Sequence, residues 1–190
     1  MSERLRVIEA MRRRDRTRFL PEHARRSAGL DHPISIGHGQ TNSQPSTVVD
    51  MLVLLDVHPG HHVLDVGSGS GWTTAILGDI VGPDGTVTAT EIVPQLAERA
   101  RTVLKGEDLP WATIHDADPD NLGWPELAPY DRILVSAEAS RIPNALVDQL
   151  DVGGVMVIPV NGRMLRIVMR ADGPDVTEHG LYRFVPLVGS

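Results

Sequence analysis

The sequence predicts an α/β fold: a Rossmann-like, doubly wound, mostly parallel sheet of about seven strands, with a C-terminal antiparallel hairpin and an N-terminal helical extension. Three observations carry this. From Pro59-Gly60 onward, short apolar runs alternate with helical segments of about ten residues, which calls for right-handed βαβ crossovers and a sheet covered on both faces. One apolar run, Val63-Leu64-Asp65-Val66, ends in an alternating glycine turn, Gly67-Ser68-Gly69-Ser70-Gly71-Trp72, that opens a helix. From Arg163 the helical spacing stops, and two strands separated by Gly173-Pro174 close one edge.

The elements follow in chain order. Leu5, Ile8 and Met11, with Val7, recur at helical spacing and predict an amphipathic helix over residues 3–14. Phe19-Leu20-Pro21 breaks it, and Pro21-Glu22-His23-Ala24 opens a second short turn. Residues 30–45 read as an irregular loop punctuated by Pro33, Gly37, Gly39 and Pro45. Ser43 or Ser46 can then cap a helix with Pro45 in its first turn and Val48, Val49, Leu52, Leu55 and Val57 on its apolar side. Strands are expected at His62 to Val66, Thr86 to Glu91, Ala112 to His115, Arg132 to Ser136 and Val155 to Val160. Helices between them are expected at Thr73 to Val81, Pro94 to Leu104 and Pro143 to Gln149. Arg163 to Met169 and Gly180 to Leu187 form the antiparallel pair. One domain over 1–190 results, with 1–58 as extension and substrate loop and 59–190 as the core.

Composition bounds the class. With 41% apolar and 23% charged residues, the chain is globular, and no apolar run approaches the roughly 18 residues that cross a bilayer. The first residues carry arginines where an export signal needs an apolar core, so a cytoplasmic protein is expected. The absence of cysteine excludes disulfides and Cys-ligated zinc. The net charge of −7 hides an arginine-rich start, from Arg4 through Arg16 to Arg26. Acidic residues are interleaved there and stacking aromatics are missing, so an exposed helix face is expected and not a nucleic-acid arm. His58, His61 and His62 cluster, but strand neighbours face opposite ways, and no metal site is expected. Trp111 and Trp124 read as core or pocket-wall residues.

The glycine turn is the chemical centre. A dinucleotide fold wants a small residue at its third glycine position, where Trp72 stands, and no Gly-Lys-Ser/Thr marks a phosphate-binding loop. Alternating glycines headed by an acid resemble the class I S-adenosylmethionine-dependent methyltransferases. A sulfonium donor without phosphate suits an acidic site that would repel a pyrophosphate. The resemblance implies cofactor contacts from Asp65, Gly67, Ser68, Gly69 and Gly71, from Glu91 and Ile92 at the end of the next strand, and from Asp116 or Asp118 beside the adenine. S-adenosyl-L-homocysteine would be the product.

A second signature narrows the family. Ile36-Gly37-His38-Gly39-Gln40-Thr41-Asn42-Ser43-Gln44-Pro45 resembles the loop before the core of protein-L-isoaspartate O-methyltransferases. Ala10-Met11, Arg18-Phe19-Leu20-Pro21, Gly123-Trp124-Pro125, Ile158-Pro159-Val160 and Phe184-Val185-Pro186-Leu187 match other landmarks of that family. The resemblance implies methyl transfer to an isoaspartyl carboxylate in a damaged protein or peptide, by a monomer that binds neither nucleic acid nor membrane. It also makes Gln40, Thr41 and Ser43 the catalytic positioners and places Ile36, Asn42, Ser136 and Glu138 at the substrate pocket. Three departures bear on the acceptor: Asn42 for an apolar residue, Ser46 for His or an aromatic, and Glu138 in a loop of small residues. A Glu138 carboxylate facing the pocket would repel an anionic acceptor. Two other readings stay open here: another acceptor, such as a peptide aspartate or a small molecule, and a non-catalytic module that keeps the cofactor site. Leu134-Val135-Ser136-Ala137 lacks the acidic-polar-Pro-aromatic pattern of base methylation.

Overall fold

The computed structural model describes residues 2–188. A two-stranded hairpin, β1 (Ile34–Gly37) and β2 (Gln40–Asn42), precedes a seven-stranded sheet. That sheet is built from β3 (His62–Val66), β4 (Thr86–Glu91), β5 (Ala112–Asp116), β6 (Tyr130–Val135), β7 (Leu150–Val160), β8 (Arg163–Arg170) and β9 (Gly173–Leu181). Its spatial order is β5-β4-β3-β6-β7-β8-β9; the first five are parallel, and β8 and β9 run antiparallel at one edge. The helices are α1 (Glu3–Arg13), α2 (Pro45–Leu55), α3 (Trp72–Val81), α4 (Pro94–Lys105) and the single turn α5 (Asn144–Val147).

Strand alternation sends neighbouring residues into two separate cores. Val63, Val87, Leu134 and Val157 face one side, where α2, α3 and α4 supply Leu52, Leu55, Ile76, Leu77 and Leu104. Leu64, Val66, Ile133, Val135 and Met156 face the other, under Leu146 and Val147 of α5. Asp65 lies between Val63's and Val66's positions on the first of these sides, against the start of α3. Pro45 opens α2 in its first turn, and Asp56 ends that helix in a left-handed conformation, φ 54°.

Chain reversal of direction about β3 sets the site. From β3 the chain moves outward to β4 and β5, then returns to lay β6 on β3's other side. The turns after β3 and β6 therefore part at one crevice, at the carboxyl ends of the strands. The backbone confirms their closeness: Ser136 N donates to Val66 O at 2.9 Å.

Several sequence expectations need correction. Residues 30–45 hold the β1–β2 hairpin, where left-handed Gly37, His38 and Gly39 make a turn too short to show a period. The last strand is β9 at Gly173–Leu181, not Gly180 to Leu187. It lies at the sheet edge with no buried residue, so it carries no apolar alternation to read. The apolar stretch Phe184 to Leu187 instead folds back over the sheet as a strap, pairing with Glu138. The helix expected over Pro143 to Gln149 shrinks to one turn, and β6 begins at Tyr130 and ends before Ser136. The crossover from β5 to β6 carries only a 3-10 turn at Pro125–Leu127, so Trp124 covers that part of the sheet by stacking on His115, centroids 4.3 Å apart.

Candidate active site

The glycine turn is pinned by the protein's own backbone. Gly67 N and Ser68 N both donate to Thr90 O at the end of β4, at 2.9 and 3.0 Å. Gly69 adopts φ +55°, and a Cβ there would lie 3.3 Å from Ile36 Cδ1 of the hairpin. Gly71 has another reason to be glycine: at φ +82°, a Cβ would press on Ala100 Cβ and Ile114 Cδ1, each at 3.2 Å. Gly71 thus seats α3 against α4 and β5, and it lies outside the cavity that the turn borders.

That cavity opens at the strand ends. Gly67, Ser68 and Gly69 form its floor, Glu91 and Ile92 one side, and Ala117 and Asp118 a further part. Gln40, Thr41, Asn42 and Ser43 of the hairpin face them, with Ser136 and Ala137 after β6 beside the floor. The strap residues Val185 to Val188, Ser70, Trp72 and Leu122 also line it. None of these last was expected from the sequence. The strap's apolar run reads as a strand, Ser70 reads as a spacer between glycines, and Trp72 reads only as the bulky residue that excludes a dinucleotide fingerprint.

Each acid has a defined position. Asp65 has no exposed surface. Its Oδ2 accepts from the hydroxyls of Thr73 (3.0 Å) and Thr74 (2.7 Å), and burial pushes the carboxyl up to about 6. Asp65 acts on the cavity through its field from below, because it does not line it. Glu91 accepts Gly69 N at Oε2 (2.7 Å) and Val93 N at Oε1 (2.9 Å), which leaves each oxygen a further lone pair. Asp116 turns away and pairs with Arg101 at 3.3 Å, whereas Asp118 lines the cavity.

The residues present fit a cationic nucleoside donor. Asp65 Oδ1 and Ser68 Oγ are buried with no hydrogen-bond partner among the described residues, and both lie at the glycine turn. A positive charge and its donor groups suit this pair, while a pyrophosphate would meet Asp65 and Glu91 instead of cations.

The expected substrate residues divide. Ser43 does not cap α2: Gln44 holds the N-cap position and no side-chain cap bond is made there. Ile36 is 4% exposed and packs with Leu20, Ala24, Ile34 and Leu96, outside the lining but in contact range of Gly69. Glu138 is not at the pocket. Its Oε1 accepts Gly162 N (3.1 Å) and its Oε2 accepts Phe184 N (3.4 Å), so the carboxylate is spent on holding the strap. Arg16, grouped with the exposed arginines in the sequence, is 5% exposed and bonded to Asn42. Its neighbours Thr17 and Arg18 give no hint that this one arginine turns inward.

Comparison with known proteins comes to the same place. The chain is 43% identical over 189 residues to the protein-L-isoaspartate O-methyltransferase of Methanopyrus kandleri, covering 97% of this chain and 84% of that one. It is 47% identical over 189 residues to that of Anaeromyxobacter dehalogenans, with coverage of 96% and 88%. Among solved structures it resembles the Plasmodium falciparum protein-L-isoaspartate O-methyltransferase beta-aspartate methyltransferase in complex with S-adenosyl-L-homocysteine. That match has a TM-score of 0.85 at 26% identity, over 97% of this chain and 91% of the other. The sequence model of the family described as Protein-L-isoaspartate(D-aspartate) O-methyltransferase (PCMT) matches residues 1–190, and the chain belongs to that family.

Proposed function

We infer that the protein transfers a methyl group from S-adenosylmethionine to the free carboxylate of an L-isoaspartyl residue in a damaged protein or peptide, the first step of a repair cycle. The observation that carries this reading is a shared cavity: the acid-flanked glycine turn forms one wall, and the polar run Gln40–Ser43 forms the facing wall.

When bound, S-adenosylmethionine supplies an electrophilic methyl on a sulfonium; an acceptor oxygen forms the new bond to carbon while the old carbon–sulfur pair stays on sulfur. The protein's residues have little proton chemistry to do. An ordinary carboxylate is ionised near pH 7, so no general base is required. Their task is alignment of two reactants at about 3 Å and exclusion of water. Gln40, Thr41 and Ser43 supply amide and hydroxyl donors to hold the acceptor carboxylate, and because Asp31 Oδ1 accepts Ser46 N in the first turn of α2 at 2.9 Å, Ser43 is not needed as its cap. Asp65 and Ser68 suit the cationic end of the donor, the spare lone pairs of Glu91 suit the ribose hydroxyls, and Asp118 suits the adenine side. Glu138, held on Gly162 and Phe184, puts no negative charge in the acceptor's path.

In this proposal residues 59–190 hold the donor and residues 1–58 present the acceptor hairpin, within one domain. The working form is a cytoplasmic monomer that engages protein chains and no nucleic acid; no helix among the described residues is long and apolar enough to cross a membrane. The test is radiolabelled methyl transfer to paired peptides that differ only in Asp against isoAsp. Labelling confined to the isoAsp peptide is expected. Equal labelling of both, or of neither, refutes the acceptor assignment.

A further inference from the structure

Between the donor turn and the acceptor hairpin runs a buried polar chain that methyl transfer itself does not call for. Arg16 Nε donates to Asn42 Oδ1 at 2.6 Å. Its Nη1 donates to the carbonyls of Ala28 (3.3 Å) and Leu30 (3.0 Å), and its Nη2 to those of His32 (2.9 Å), Asn42 (3.2 Å) and Ser43 (2.8 Å). Five N–H groups thus serve six acceptors, all of them neutral oxygens. The guanidinium lies over the ring of Trp72, the first residue of α3, at 5.3 Å. Asn42, itself 5% exposed, uses its other end to donate from Nδ2 to Ser70 Oγ at 2.9 Å, inside the glycine turn.

The direct partners of this cation are all neutral oxygens, with the charge of Asp31 acting on it from outside the bonded set, and any carbonyl that swings away leaves a charged donor unsatisfied, so the arrangement of those dipoles is fixed. Arg16 therefore fixes residues 28–43 as a unit. Asn42 then sets the register between that unit and the donor turn, since its amide oxygen and nitrogen are committed to different partners. Ile36 Cδ1 against Gly69 adds an apolar contact across the same seam.

We propose that Arg16 and Asn42 are positioning residues that set the acceptor hairpin against the glycine turn through Ser70, so that donor-site filling and hairpin order form one coupled equilibrium. The activity arm of its test rests on the methyl-transfer reading above; the exchange arm does not.

The test compares the wild-type chain with Asn42→Leu, Asn42→Asp and Ser70→Ala, each saturated with S-adenosyl-L-homocysteine or free of it. Amide hydrogen exchange of residues 34–43 is the first readout. In the wild type, product nucleoside slows this exchange by at least about fivefold, the lower end of common coupling strengths. Asn42→Leu and Ser70→Ala lose the slowing. Asn42→Asp keeps it, because a carboxylate accepts from Arg16 and from the Ser70 hydroxyl alike. In the second readout, the KM for an isoaspartyl peptide rises about tenfold in Asn42→Leu; Asn42→Asp, which adds a negative charge to the acceptor wall, is read in the exchange arm alone. Should Asn42→Leu melt below the assay temperature, Ser70→Ala, which deletes one hydroxyl, decides the exchange arm alone. Wild-type slowing in a folded Asn42→Leu or Ser70→Ala overturns the proposal and leaves these bonds as fold stabilisers. A wild type that methylates no isoaspartyl peptide defeats the acceptor assignment, while the exchange result still decides the coupling.

Discussion

Asp65 is the residue on which stability and binding pull in opposite directions. Its carboxyl has no exposure, two hydroxyl donors on one oxygen and none on the other, and burial lifts it from 3.8 to about 6. The folded state without donor therefore holds this proton more tightly than the unfolded chain does. For an acid whose pKa rises on folding, the stabilising contribution is present below about pH 4 and is lost as pH climbs through about 6. The full change is about 3 kcal/mol at 1.36 kcal/mol per unit. A cationic donor reverses the preference, because it favours ionised Asp65. Denaturant titrations of the unliganded protein should thus lose stability between pH 4 and 6, whereas affinity for the sulfonium donor S-adenosylmethionine should rise about tenfold between pH 5 and 7. In Asp65→Asn both slopes should flatten. Unchanged slopes in that variant would assign the pH dependence to other groups.

At the scale of elements, the strap and the hairpin are the parts that make the cavity, and they are the parts the sequence hid. The strands β3, β6 and β7 are legible because burial on both faces demands near-continuous apolar runs, and β4 because Val87 and three threonines are β-branched. The glycine turn and Glu91 are legible because a backbone approach and a strand-end acid leave fixed residue types. Position of the hairpin segment at the site was readable only through its resemblance to a family loop. Its pairing was not, since β2 spans three residues and the turn is set by positive φ at residues 37–39. Arg16 and Glu138 show the same limit from the other direction. A charged side chain reads as surface or as repulsion until its acceptors or donors are known, and those lie far along the chain. For Glu138 they are Gly162 N and Phe184 N, while its own backbone bonds Val185 O and Leu187 N at 2.7 and 2.8 Å. Glu138→Ala removes the shared acceptor of two amides, at a cost of about 1–3 kcal/mol in a half-buried setting. Amide exchange at Phe184 and Leu187 should quicken in that variant ahead of exchange in β7 and β8. A uniform increase across all strands would mean that Glu138 supports the whole sheet and not the strap.

For the molecule as a whole, the donor site is a junction and not a groove on a finished body. The extension reaches it through Trp72, whose Nε1 donates to Arg14 O at 2.7 Å, and through Arg16 above the same ring. Arg14 also pairs with Asp79 of α3 at 2.9 Å and with Glu107 beyond α4 at 3.2 Å, so the ends of α1 and α4 share one half-buried ion-pair cluster with α3. The strap arrives from the far edge of the sheet through Glu138. A ligand in the cavity touches elements from both ends of the chain at once, and its binding energy should appear as global stability. At a concentration 100 times its dissociation constant, a ligand specific for the folded state adds about 2.7 kcal/mol. For a chain of this size that corresponds to a rise of about 5–10 °C in the melting midpoint. S-adenosyl-L-homocysteine should produce this shift in a single cooperative transition. A dinucleotide carrying a pyrophosphate should produce none at the same concentration, since Asp65 and Glu91 oppose its charge and Trp72 fills the place a dinucleotide fold keeps small. A two-step melt, in which the nucleoside moves only the later step, would separate the extension from the core and show that the site is not a junction between them.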